Sequence, residues 1–339
     1  MRLIKTEDAV GHVLCHDMTQ IIKDQYKDAR FRKGHVVTEE DIPVLLSMGK
    51  EHLYVWEMTS GMVHENDAAE RLLALCGQEN MIRSGVKEGK IELKAACDGV
   101  FLVNSARLVA VNSQDEVMIA TRKGGMAVRE GDKLAGMRVI PLIIEEEKLR
   151  KAEQAAGDKP LLSLKPYVRK TACIVATGGE VKKGLIKDTF TPVVIDKLKT
   201  YGIETLEVVY SGDGVENVRD AVLTMREKKP DMILCTGGMS VAPDDNTPGG
   251  IKAAGANIIA YGAPVLPGAM FLLGYFDDGM PVMGLPGCVM YAGATVFDLV
   301  LPKIAADVPV TRADLAALGE GGLCLGCKPC HYPICPFGK

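Results

Sequence analysis

The chain has 339 residues, 47% of them hydrophobic and 25% charged, with a formal charge of -4 at pH 7. That length and balance describe a globular chain large enough for two or three domains. The mild acidity, without any basic stretch, argues against a nucleic-acid partner. No apolar run approaches the roughly 20 residues that cross a bilayer, so no membrane partner is expected. Residues 1–8 carry acids where a secretory signal needs an apolar core, which predicts a cytoplasmic protein.

Residues 1–57 mix short apolar segments with turns and read as a small α+β N-terminal segment. Thr38 and Asp41 form a carboxylate variant of the capping box ahead of a helix faced by Ile42, Leu45 and Leu46. His52 to Trp56 follows as a strand, with Trp56 as a core or edge anchor. Residues 58–150 read as a β-rich domain with a leading helix. Ala69, Leu72, Leu73 and Cys76 share one face of a helix over 66–76. The pieces 90–95, 100–103, 108–111 and 117–120 are strand-length apolar runs separated by Gly, Asn, Ser and Asp. His12 and His16 have i,i+4 spacing, a pattern more often solvent-facing than metal-binding. Residues 145–160 are strongly charged and then broken by Gly157 and Pro160, so a helical extension is expected first and then a linker, placed at 151–168.

Residues 169–306 alternate strand and helix. Residues 172–177, 205–210, 231–235 and 281–284 are strands, several of the buried type. Helices are expected over 191–200, along Val215, Val218, Val222 and Met225, and from about Cys288 to Ala305. This alternation predicts an α/β domain, a parallel sheet covered on both faces in three layers. The strand ends at Thr177 and Thr236 each run into paired glycines, which allow a sharp turn and close approach to a ligand. The second loop carries the Ser240 hydroxyl and the Asp244 and Asp245 carboxylates, and Thr247-Pro248 opens a helix after it. Ligands bind open α/β sheets at the carboxyl ends of their strands. Both loops face that edge, which directs Glu180, Ser240 and Asp245 toward one another. Leu285-Pro286-Gly287 offers backbone N–H groups at the start of the apolar helix as an anion seat. The Pro264 to Gly268 loop walls the same cleft. Neither a Walker lysine motif nor a G-x-G-x-x-G is present.

The ordered matches are Thr177-Gly178-x-Glu180, Gly184-x-Ile186-x-Asp188, Asp213, Thr236-Gly237-Gly238-x-Ser240 with Asp245, Pro267-Gly268, and Leu285-Pro286-Gly287. In these the stretch from about 170 to 305 resembles the molybdopterin-binding domain shared by molybdopterin adenylyltransferases, molybdenum insertases and competence-damage-type proteins. The resemblance implies a small-molecule pterin substrate held by Thr177, Gly178, Glu180, Asp213, Thr236, Gly237, Gly238, Met239, Pro267, Gly268, Leu285, Pro286 and Gly287. It implies a catalytic group of Asp245, Ser240 and Asp188, with Asp245 at the reacting centre beside Mg2+ or the molybdate substrate. The implied activity is molybdenum cofactor biosynthesis, with molybdate insertion into molybdopterin first. The alternatives are adenylylation of the pterin (which Asp245-x-Thr247-Pro248 matches) and a carrier that serves a client molybdoenzyme. Related insertases use their N-terminal half for dimer contacts, so a homodimer is expected. The chain departs from the insertases at Ala242, at Leu266 in place of a lysine, and at Cys288-Val289 in place of Asn-Pro.

Residues 307–339 form a Cys-rich tail. Of ten cysteines, Cys324, Cys327, Cys330 and Cys335 fall in the last sixteen residues, among Gly, Pro and Lys that offer no core. In a cytoplasmic chain such clustering suggests metal, not disulfides. The spacing is that of the bacterial ferredoxin run with one extra residue before the final Cys-Pro, but a ferredoxin's fourth cysteine serves a second cluster. Zinc, held by four thiolates or by three and His331, is placed slightly ahead of an iron–sulfur cluster. The remaining alternatives are a tail that passes molybdenum or sulfur to the cleft and a disordered tail.

Overall fold

The computed structural model describes residues 2–22, 26–55, 61–182, 184–240 and 245–339, except the side chains of Tyr26, Glu180 and Lys182. The expectations for Trp56, for the Glu180 side chain and for positions 241–244, Ala242 and Asp244 included, fall outside the described residues. The chain forms two compact units. The first comprises Met1–Ala96, Val103–Gly124 and Gly131–Ser163, and the second Cys97–Leu102, Gly125–Glu130 and Leu164–Lys339.

The first unit is α+β and rich in strands. Arg2–Lys5 pairs antiparallel with His52–Val55, and Met18–Ile22 with Tyr26–Phe31. With the helix Asp41–Ser47 they enclose Leu14, Leu45, Leu53 and Val55. Thr38 donates its N–H and its hydroxyl to Asp41 Oδ2, both at 2.8 Å, so the carboxylate half of the expected box forms. The other half does not, because Glu40 is the N-cap and Asp41 N donates to the Thr38 carbonyl and not to its hydroxyl. A four-stranded antiparallel sheet, Met81–Arg83, Ile91–Ala95, Lys133–Val139 and Val117–Thr121 in spatial order, follows. The helix Glu65–Cys76 buries Ala69, Leu72, Leu73 and Cys76, the expected face.

Residues 108–111, expected as a strand, belong to the helix Ser105–Asn112. Four apolar residues fit either element, and the cap decides: Asn104 accepts from the Arg107 N–H at 3.1 Å. Val111 is then buried and Val109 exposed, as a helix places them. The stretch expected as a linker, 151–168, contains the end of the helix Glu146–Ala156, anchored by Leu149, Ala152 and Ala156, and the strand Leu162–Pro166.

The second unit is built on a six-stranded sheet. Its strands are β1 (Thr171–Thr177), β2 (Glu204–Ser211), β3 (Met232–Thr236), β4 (Asn257–Tyr261), β5 (Leu272–Tyr275) and β6 (Pro281–Leu285), in the spatial order β2-β1-β3-β6-β5-β4. The first four in space are parallel, and two strands that sequence reading did not anticipate complete the sheet: β5 runs against the others, and β4 pairs antiparallel with β5. The helices are α1 (Gly179–Lys182), α2 (Phe190–Lys199), α3 (Val215–Glu227), α4 (Thr247–Ala253), α5 (Val296–Ala305) and α6 (Arg312–Ala317).

Alternate strand residues enter two cores. Ile174, Leu234 and Met283 pack with Val194 and Leu198 of α2 and Phe297 and Val300 of α5. Val175, Ile233 and Val282 pack with Val218 and Val222 of α3 and Ile251 of α4. The unit is therefore the three-layer α/β arrangement expected. Burying each such Val, Leu or Ile contributes about 1.5–3 kcal/mol. The central strands, covered on both faces, thus form a firm platform for the loops at their ends.

Two stretches depart from expectation. The apolar helix expected from Cys288 is a single 3-10 turn, Gly287–Met290, and α5 begins only after Thr295. Thr295 restarts the helix with a capping box: its Oγ1 accepts from Phe297 N at 3.2 Å, and Asp298 Oδ2 accepts from Thr295 N at 2.8 Å. One 3-10 turn lacks the aligned peptide dipoles of a long helix, so the anion seat expected at Leu285 to Gly287 is not formed in that way.

The tail is packed, not loose. Cys324 N donates to Leu266 O and Leu266 N to Gly322 O, both at 2.8 Å. Tyr332 OH donates to Asp298 O at 2.9 Å, and Phe337, 2% exposed, enters the core beside α5. No helix among the described residues is long and apolar enough to cross a membrane.

Candidate functional site

Strand register sets the site. Thr177 pairs with Ser211, Ala176 with Thr236, and Thr236 with Leu285, so β2, β1, β3 and β6 end level at one edge. The loops after them all leave from that edge. Leu272 pairs with Gly284, so antiparallel β5 starts there too and brings in the Pro267-Gly268 turn.

Two threonines bind the ends of β1 and β3 together. Thr177 Oγ1 donates to Thr236 O at 2.8 Å and lies 3.1 Å from Thr247 Oγ1. Thr247 Oγ1 donates to Gly237 O at 2.9 Å, and Thr247 N donates to Gly238 O at 3.2 Å. Two hydroxyl protons thus serve three contacts among Thr177, Thr236, Gly237 and Thr247. Gly237 (φ 81°) and Gly238 (φ 58°) make the turn. A Cβ at Gly237 would lie 2.4 Å from the Thr177 carbonyl oxygen, so no larger residue fits.

The carboxylates have distinct surroundings. Asp213 Oδ2 accepts from Gly179 N at 3.0 Å and ties the loop after β1 to the loop after β2. Asp188, expected in the catalytic group, caps α2 through Oδ1, which accepts from Phe190 N at 2.9 Å and Thr191 N at 3.0 Å. Its Oδ2 is buried without a hydrogen-bond partner among the described residues. Burial pushes this carboxyl up, but hydrogen bonding by Thr191 and Phe190 outweighs it and holds Asp188 below its ordinary range. Asp188 therefore has a structural task already, at the start of α2 and not on the Thr-Gly-Gly turns.

Ser240 is exposed and Asp245 half-buried, on the same loop. Tyr261, on β4, donates its hydroxyl to Met239 O at 2.9 Å and lies 3.4 Å from Ser240 O. Burial first, then the Asp245 charge, pushes the Tyr261 phenol up. The Met239 side chain, expected at the ligand, is 4% exposed; a Cβ added at Gly284 would lie 2.5 Å from its sulfur. That side chain belongs to the core, and only the Met239 backbone faces Tyr261. Leu285 and Pro286 are buried and Gly287 is exposed. Val296 N donates to Pro267 O at 3.3 Å, and a Cβ at Gly268 would strike Val296, so Pro267-Gly268 is pressed against the start of α5.

Thr177, Gly178, Asp213, Thr236, Gly237, Gly238, Ser240 and Asp245 thus gather along one sheet edge. Thr247 and Tyr261 were missed as site residues. Thr247 was legible only as a helix opener, and Tyr261 lies on a strand that carried no pattern. Among the described residues no three His, Cys, Asp or Glu side chains stand where they could hold one ion. Mg2+ keeps several waters and takes one or two carboxylates plus phosphate oxygens. Asp245 with a phosphorylated ligand fits that demand.

Carboxyl-end loops with two paired-glycine turns on a sheet covered on both faces define an α/β ligand-binding domain. Residues 173–306 match the family described as a probable molybdopterin binding domain. Residues 3–57 match a domain of unknown function. A CinA-like protein of Mycobacterium tuberculosis (strain ATCC 25177 / H37Ra) is 33% identical over 76 residues, 22% of this chain and 18% of that protein. The match thus spans less than a fifth of that relative. Among solved structures, CinA of unknown function from Thermoplasma acidophilum aligns over 40% of this chain and 98% of its own, at 18% identity and a TM-score of 0.34. The molybdopterin biosynthesis enzyme MoaB of Thermus thermophilus aligns over 42% and 98%, at 17% identity and a TM-score of 0.36.

Proposed function

We propose that this chain binds molybdopterin, or its adenylylated form, across the loops at 177–180, 236–245 and 285–287, and assists molybdate insertion in molybdenum cofactor biosynthesis. The observation that carries this reading is the Thr177–Thr247 network, which draws the two Thr-Gly-Gly turns together at the carboxyl edge of the sheet. In this reading the glycine turns present backbone N–H groups to the ligand's phosphate, and Ser240 adds a hydroxyl donor. Asp245 is the catalytic residue: its carboxylate holds Mg2+ with the ligand's phosphate, or orients the molybdate oxyanion. Asp188 and Asp213 act through the loops they fix, as positioning residues. The protein is taken to act as a homodimer, which light scattering checks; a monomer at micromolar concentration counts against it.

Titration calorimetry with molybdopterin tests the binding. Asp245→Ala should retain the fold and lose molybdate insertion, and unchanged binding with unchanged turnover would sink the assignment. One observation favours a second reading, a non-catalytic carrier serving a client molybdoenzyme. Leu266, 57% exposed, stands where the insertases carry a lysine, so that loop lacks a cation for phosphate or molybdate. Binding without either insertion or adenylylation by the purified protein would favour the carrier.

A further inference from the structure

The Cys-rich tail is unused by the pterin reading, yet the structure gives it a defined place. Cys324, Cys327, Cys330 and Cys335 line one cavity of about 340 Å³, with Pro267 and the segment 291–294 on its other side. All four are free thiols. Backbone bonds at Leu266 and Cys324, the Tyr332 hydroxyl on Asp298 O and the buried Phe337 hold the walls. A Cβ on Gly293 would meet the Cys330 Sγ at 2.8 Å, so glycine makes room for the sulfur. Lys328 and His331 line the cavity as well.

Thiols around one cavity leave a choice between a single ion and a cluster. Tetrahedral zinc, with Zn–S near 2.3 Å, draws its four sulfurs to about 3.8 Å of one another and leaves no cavity between them. Among the described residues, which include the whole tail, no three ligand-type side chains stand close enough to hold one ion, while these four line a common cavity. A cubane iron–sulfur cluster carries its thiolates on four corners, farther apart, and fills the space between. Three cysteines at Cys-x2-Cys-x2-Cys and a fourth before proline follow the run such clusters use, with one extra residue before the fourth. In two-cluster ferredoxins that fourth cysteine serves the other cluster, whereas Cys335 lines the same cavity as the first three. We propose that the tail binds a [4Fe–4S] cluster through Cys324, Cys327, Cys330 and Cys335. The four ligands lie outside residues 173–306, so the proposal stands apart from the pterin reading.

The test uses the full chain, purified anaerobically and reconstituted with ferrous iron and sulfide. The expected product is brown, contains iron and acid-labile sulfide in the proportions of the cluster formula, and gives an EPR signal after reduction. Cys327→Ser and Cys330→Ser replace exposed thiols, so both should fold, melt as the metal-free parent does, and lose most of the iron and sulfide. Cys288→Ser, outside the cavity, should retain both. One zinc per chain without iron uptake would overturn the proposal. So would the absence of any metal, or iron and sulfide uptake that both tail variants keep.

Discussion

Thr177 and Thr247, 70 residues apart in sequence, place their Oγ1 atoms 3.1 Å apart and so join the end of β1 to the first residue of α4. The Thr236–Gly238 turn is held between them. Thr247 is 1% exposed, so a lost hydroxyl cannot be replaced by bulk water. Thr247→Val keeps the shape and leaves Gly237 O and Thr177 Oγ1 short of a partner. A destabilisation of about 1–3 kcal/mol is expected, with weaker molybdopterin binding, while Thr247→Ser stays close to the parent. Urea midpoints with calorimetry check this; a Val variant as stable as the Ser variant would remove the network from the account.

Gly237 and Gly287 make a contrasting pair. Gly237→Ala forces a side chain into φ 81° and into the Thr177 carbonyl, at a strain of roughly 1–3 kcal/mol, and should also displace the loop and abolish ligand binding. A Cβ at Gly287 meets nothing within 4 Å, so Gly287→Ala should leave stability within about 0.5 kcal/mol. If the ligand occupies that space, binding falls all the same. Equal affinity for the Gly287 variant and the parent would place the ligand elsewhere along the edge.

The parallel strands and their helices were legible because burial on both faces leaves long apolar runs, and Val218, Val222 and Met225 keep the period of a helix. The paired-glycine turns were legible for the same local reason: glycine marks a backbone that other residues cannot follow. What failed was decided by atoms far away in sequence or by a single cap. Residues 108–111 became a helix through Asn104, and the helix expected from Cys288 was cut at Thr295 by its bond with Asp298. Tyr261 reached the site through the β4–β5 pairing, which no spacing announced. Asp188 and Met239 matched a motif, yet one caps α2 and the other fills the core against Gly284.

Acid should loosen the second unit through Asp231. Its Oδ2 accepts from Lys170 N at 2.6 Å and from Thr171 N and Oγ1 at 2.9 Å each, at the start of β1. Burial pushes the carboxyl up, but these bonds and the Arg169 charge outweigh it and hold Asp231 below its ordinary value. A carboxyl depressed in the fold contributes stability above its unfolded pKa and loses it as pH falls through the folded one. Asp231→Asn should cost about 1–2 kcal/mol at neutral pH and flatten the acid limb of a stability–pH profile. Parallel profiles for variant and parent would mean the carboxylate charge is not what these donors hold.

Phe337 anchors the tail, close to the last residue and yet 2% exposed in the α5 core. Neighbouring Tyr332 sets its ring edge-on to Phe337, with centroids 6.2 Å apart, and donates to Asp298 O, at the helix start that Lys197 also grips through Asp298 Oδ1 at 2.5 Å. The tail therefore closes the same core that supports α5 and, through Val296 N, the Pro267 turn. Phe337→Ala removes a buried aromatic ring and should cost about 3–5 kcal/mol. Tyr332→Phe keeps the packing and loses one bond, for about 1 kcal/mol. Thermal melts of the two variants, with limited proteolysis of the last residues, check the order. A Phe337 variant that melts with the parent would show the tail to be an appendage and not part of this core.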